Sequence, residues 1–184
     1  KMMSAPNDTT ATWLFKMESS EGTTAVELPL MTGYFGPADT AGDTPEQGVW
    51  ESYEFPLSAL ADAGLDTSAI DVIMIFPAWG AGEGAVYRVN NVEISQESAY
   101  PELVIFEDEM NPDWPMWDCC GGSTPTEEID NEEHGLTAEF RIGAEPTVMG
   151  FITRSASGGG DTPFDASALA DGGLLQFDLR VVSM

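Results

Sequence analysis

Short β-forming runs, each closed by turn residues, dominate this chain and leave little room for anything but an all-β fold. Thr10–Glu18 (TATWLFKME) and Thr23–Met31 (TTAVELPLM) alternate in part. Val49–Phe55 (VWESYEF) alternates more clearly between apolar and polar side chains, the period-two mark of a strand with one buried face. Val72–Phe76 (VIMIF) is apolar throughout. It is too short for a helix and suits a central strand buried on both faces. Val86–Ile94, Leu103–Phe106, Ala138–Ile142, Val148–Ile152 and Leu174–Val182 bring the set to about nine strands, separated by Gly, Pro, Asn and Asp clusters. Helical signals are confined to Pro56–Gly64 and Pro163–Gly172, one or two turns each with a Ser or Asp cap and a Gly stop. Many short strands with Gly- and Pro-rich turns predict an antiparallel β-sandwich of jelly-roll type.

A chain of 184 residues, 42% hydrophobic and 10% aromatic, has enough apolar material for one core of ordinary domain size. The remaining surface is strongly acidic: six basic residues against 32 acidic ones leave a net charge of −26. Such a surface repels phosphate backbones and anionic lipid heads, which argues against nucleic-acid binding and membrane docking. No apolar run approaches the ~20 residues of a membrane helix. The start is not of the basic-then-apolar signal kind, so any targeting segment is expected to lie outside this sequence. The carboxylates read either as a solubilising coat or as the oxygens of a local calcium site.

The two cysteines, Cys119 and Cys120, are adjacent. They cannot staple distant parts of the chain or form a structural zinc site; a vicinal disulfide, an intermolecular bridge or free thiols remain. In an oxidising compartment the vicinal bond is the expected state, pinning the loop that carries Trp114 and Trp117.

The chemistry-bearing residues point to binding and not to catalysis. The chain has one histidine, His134, and two lysines. It lacks a GxSxG elbow, a HExxH helix and a phosphate-cradling GxGxxG. His134, in DNEEHG, reads as a solvated loop histidine beside carboxylates. Trp79, Trp114 and Trp117 lie in Gly/Pro-rich stretches between strands, where they could stack on pyranose faces or plug the ends of the sandwich. Trp13 and Trp50 lie within strands and are expected in the core. Asp118 could accept hydroxyl protons or cap a turn. Arg154 could donate to hydroxyls or uronates, or sit in a salt bridge.

The ends carry a further signal. Lys1–Ala5 (KMMSA) parallels Arg180–Met184 (RVVSM), as though a strand had been cut and kept in part at both ends. Joined as Pro101–Met184 followed by Ala5–Ile94, the chain is similar to a known family. Val104–Trp117 (VIFEDEMNPDWPMW), Asp118–Pro125 (DCCGGSTP), Pro146–Arg154 and the stretch DVIMIFPAWGAGEGAVYRVNNVE carry the likeness. In that order it resembles the C-terminal, galactose-binding-like β-sandwich of bacterial exo-1,3/1,4-β-glucan glucohydrolases of glycoside hydrolase family 3. The resemblance implies one circularly permuted domain over 1–184, with 1–96 the second half of the family domain and 100–184 the first. The family's catalytic domains are absent, so no catalytic residue carries over. In such sandwiches the strands holding Glu107 and Asp108, and Asn91 and Glu93, are neighbours near a structural calcium. The alternative for these four is solvated edge charge.

The expected function is therefore a secreted, non-catalytic module that binds a β-glucan-like polysaccharide. The rival is a structural repeat joined head to tail to further copies of itself in an extracellular assembly. Closure within one chain predicts that Leu174–Val182 and Thr10–Glu18 pair as the arms of one hairpin.

Overall fold

The computed structural model describes residues 12–30, 45–78, 81–96, 102–120, 124–130, 134–143 and 148–184. Among the described residues eleven strands form two antiparallel sheets. The first sheet runs β2 (Thr24–Pro29), β1 (Trp13–Ser19), β4 (Ile70–Pro77), β10 (Met149–Ile152) and β7 (Met116–Asp118). The second runs β3 (Trp50–Pro56), β11 (Leu174–Ser183), β5 (Val86–Ser95), β9 (Leu136–Arg141) and β8 (Thr126–Ile129), with β6 (Leu103–Phe106) also on β5. One short helix, α1 (Leu57–Asp62), follows β3. The second expected helical stretch holds only a 3-10 turn at Ser167–Leu169. The all-β class and the two-sheet sandwich follow the sequence pattern closely.

The alternation in β1, β3 and β11 works as period two requires. Phe15, Phe55 and Phe177 project inward from three strands and stack across the gap, with ring centroids 4.4 Å apart for Phe15–Phe55 and 6.2 Å for Phe15–Phe177. Trp13 joins them, fully buried and edge-on to Tyr87. Every residue of β4 is buried, as the VIMIF run implies. Ile73 and Ile75 enter the main core, whereas Val72, Met74 and Phe76 form a second apolar cluster with Val148 and Ile152 on the outer face of the first sheet.

The predicted hairpin does not form. β11 pairs with β3 and β5, and β1 with β2 and β4, so the two runs belong to opposite sheets and meet only through their inward rings. The apolar stripe on each strand demands a facing layer, and each finds it across the core. Strands from both halves of the chain are interleaved in both sheets: β4 pairs with β10, and β5 with β6, β9 and β11. The Lys1–Ala5 end and most of the link between the halves lie outside the described residues. β7 and β8 were not expected. Each is three or four residues long, without an alternating apolar signature, and is recruited by a longer neighbour.

Candidate functional site

The aromatic loop does not present the expected platform. Trp79 lies outside the described residues. Trp114 is a correction: its side chain is 1% exposed and belongs to the main core. Asn111 directs it there. The Asn111 side-chain amide donates to the Val104 carbonyl at 2.8 Å and its oxygen accepts the Asp113 N–H at 3.0 Å, forming a turn that drives the next large ring inward. Trp117, on β7, is half-buried and packs on the outer-face cluster of the first sheet beside Cys119. Cys119 and Cys120 are joined as a disulfide, and Asp118 accepts the Cys120 N–H at 3.2 Å, the capping arrangement.

Arg154 is held in ion pairs. Its Nε and Nη2 donate to the two oxygens of Asp71 at 3.1 and 2.9 Å, and Nη2 also reaches Glu18 at 2.8 Å. The Asp71 side chain is 1% exposed, so this fork neutralises a buried carboxylate. Burial opposes ionisation of Glu18, yet hydrogen bonds from Lys16 and Arg154 hold its carboxyl below the ordinary value. Of the two roles open to Arg154, the salt bridge is the one seen.

A different surface of the molecule has the shape of a site. The outer face of the second sheet holds a cleft of about 300 Å³ over the backbone of Tyr53 and Phe177, whose rings are buried in the core on the other side of the sheet. Its polar walls come from four segments: Ser52 and Glu54 on β3, Gln176 and Asp178 on β11, Asn91 and Glu93 on β5, and Glu107 just past β6. A β-bulge builds it. Against β11 the register of β5 shifts between Gln176↔Glu93 and Asp178↔Asn90, so β5 carries one extra residue there. Val89 and Val92, three apart, both reach the core, and Asn90 and Asn91 occupy the turn of backbone between them, Asn91 with φ 50°. Asn90 Oδ1 accepts the N–H of Asn91 at 2.9 Å and of Asp108 at 3.3 Å, tying the turn after β6 to the bulge.

Asp178 is the hub. It accepts from Ser52 Oγ at 2.5 Å and Asn91 Nδ2 at 2.6 Å, and His134 Nε2 lies 3.6 Å from it. His134 is thus not solvated: its ring meets Trp50 edge-on at 4.3 Å, and its side chain is 17% exposed. Trp50 sits in a strand as expected, but it lies on the outer face beside His134 and not in the core. Burial pushes the Glu93 carboxyl above its ordinary value; Glu107 and Asp178 add repulsion, and the Gln176 amide, which donates to Glu93, opposes the rise. Beyond the hub, Asp130 accepts from Arg180 at 2.9 Å, while Arg88 bonds Glu139 at 2.9 Å and lies 3.6 Å from Asp130. These pairs link β11, β5 and β9 on the same face of the sheet as the cleft.

The four residues considered for calcium do not converge. Asn91, Glu93 and Glu107 line the cleft, but the Asp108 carboxylate is turned toward Gly135. Among the described residues no group of three or more His, Cys, Asp or Glu that could hold a metal ion is present.

Ser52, Glu54, Gln176 and Asp178 were not singled out in the sequence. The signal was there, as the outward positions of three alternating strands, but nothing in one sequence says that those strands are neighbours. No family model, curated protein or solved structure matches this chain. Among the described residues no helix is long and apolar enough to cross a membrane.

Proposed function

We propose that this chain is a secreted, non-catalytic carbohydrate-binding module whose glycan lies in the cleft on the outer face of the second sheet. The observation that carries the reading is the cleft itself: about 300 Å³ lined by seven polar side chains, six of them on the neighbouring strands β3, β11 and β5 and the seventh, Glu107, just past β6. Carboxylate and amide oxygens there accept hydroxyl protons, and the hydrogen bonds around Asp178 and Glu93 fix those oxygens in place before a ligand arrives. The preference for a β-glucan rests on the resemblance of the chain to the accessory sandwich of β-glucan hydrolases. The same resemblance supports a permuted jelly roll. It also assigns catalysis to other domains. Secretion suits an oxidised vicinal pair.

The test is retardation in gels containing laminarin or mixed-linkage glucan. The chain should be slowed, and Asp178→Ala, which removes the acceptor shared by Ser52 and Asn91, should weaken binding by about tenfold or more (~1.4 kcal/mol) while the fold persists. Unretarded migration on every β-glucan tried would overturn the reading.

A further inference from the structure

We propose that the Cys119–Cys120 pair is a thiol-exchange site of fixed polarity, in which Cys120 is the sulfur attacked and Cys119 the sulfur expelled, and that opening it releases strand β7 from the first sheet. The site lies on the other sheet from the cleft and does not depend on glycan binding. Its polarity follows from placement. Cys120 is exposed, whereas Cys119 is half-buried with Trp117 against the cluster of Val72, Met74 and Phe76. Exchange requires a thiolate to approach a disulfide sulfur, so access selects Cys120.

The reductant is a small thiol of the glutathione or dithiol class. Its thiolate attacks Cys120 Sγ, a new S–S bond forms there, and the electron pair of the Sγ–Sγ bond passes to Cys119 Sγ. Apolar surroundings disfavour a thiolate, and Cys119 takes up a proton. A second thiol then attacks the sulfur that the first one contributed. It leaves with the first as their disulfide, and Cys120 departs as a thiol. The protein gains two hydrogens and the reductant loses two.

β7 is built to respond. It is three residues long and, among the described residues, pairs only with β10, through Met116↔Phe151, Trp117↔Gly150 and Asp118↔Met149. The Cys119 N–H extends that ladder to the Val148 carbonyl at 3.1 Å, and Asp118 holds the Cys120 N–H. Both bonds involve amides of the two cysteines, whose backbone the closed ring restrains. Opening the ring removes that restraint at the end of a strand that has one partner among the described residues, where local unfolding costs least.

Two measurements test this. In Cys119→Ser and Cys120→Ser, one thiol remains; the Cys120 thiol should react with Ellman's reagent at least about tenfold faster than the Cys119 thiol, and urea should erase the difference. In the unsubstituted chain, dithiothreitol should add two hydrogens and speed amide exchange over residues 116–120 by about tenfold or more, with β5 and β11 unchanged. Equal or inverted thiol rates in the folded variants would overturn the polarity. Complete reduction with unchanged exchange in β7, or a pair that resists dithiothreitol in the folded chain, would overturn the release. The exchange measurement needs no variant and stands if either serine substitution fails to fold.

Discussion

The outer faces of the two sheets differ as much as an interior and a surface. On the first sheet, Val72, Met74, Phe76, Val148 and Ile152 are between 0% and 6% exposed although they point away from the main core. On the second, the corresponding positions are Ser52 and Glu54, Gln176 and Asp178, Asn91 and Glu93, and they line an open cleft. Both sheets bury their inner faces in the same way, so the contrast lies wholly in the second residue of each alternating pair. An apolar outer position makes packing, and a polar one leaves hydrogen-bonding atoms for a ligand. Trp117 packs on the first kind of surface, and Trp114 belongs to the main core.

This comparison can be broken by substitution. The largest effect is expected at the charged margin of the first sheet: Arg154→Ala strands the buried Asp71 carboxylate and should cost about 3–5 kcal/mol in chemical denaturation. Asp71→Asn in that background should recover part of the loss. Met74→Ala should cost about 2–5 kcal/mol, the range for a core position, although the residue faces outward. A cost within ~0.5 kcal/mol, the ordinary surface range, would place Met74 on a true surface and end the contrast.

Two carboxylates of opposite shift sharpen the picture with pH. Glu18 is depressed in the fold, so its contribution is present above its unfolded value and fades as pH falls through the folded one; Glu18→Gln should lower Tm at pH 7 and have little effect near pH 3. Glu93 is raised, so its ionised form opposes folding at neutral pH, and the penalty disappears as acid protonates it. Glu93→Gln should therefore raise Tm at pH 7 and leave it nearly unchanged near pH 3. A lower Tm at pH 7 would count against the crowding of Glu93 by Glu107 and Asp178. The smallest effect is expected at exposed Glu54, where Glu54→Gln should shift stability by no more than ~0.5 kcal/mol in the same denaturation assay.

Alternation made the strands legible, and the VIMIF run announced a strand buried on both faces. What it could not convey was partnership. Thr10–Glu18 and Leu174–Val182 have the pattern of hairpin arms, yet their aromatic stripes face each other from opposite sheets, because period two specifies a buried face and not a neighbour. The cleft was half-legible for the same reason. Asn91, Glu93 and Glu107 were noticed as oxygen donors, while Ser52, Gln176 and Asp178 needed the β3–β11–β5 order and the bulge at Asn90–Asn91 to join them. Trp114 misled because a Pro- and Asp-rich stretch reads as a wet loop, and only the Asn111 bonds reveal that it folds inward.

The central claim is that a glycan meets the polar outer face and not the tryptophan loop. It is tested most directly by titrating the chain with a soluble β-glucan oligosaccharide while recording amide chemical shifts, residue by residue. The account predicts saturable shifts concentrated at Ser52, Glu54, Asn91, Glu93, Gln176 and Asp178, with Trp114 and Trp117 unmoved. Shifts centred on Trp117 and the Cys119–Cys120 turn, with a silent cleft, would contradict it.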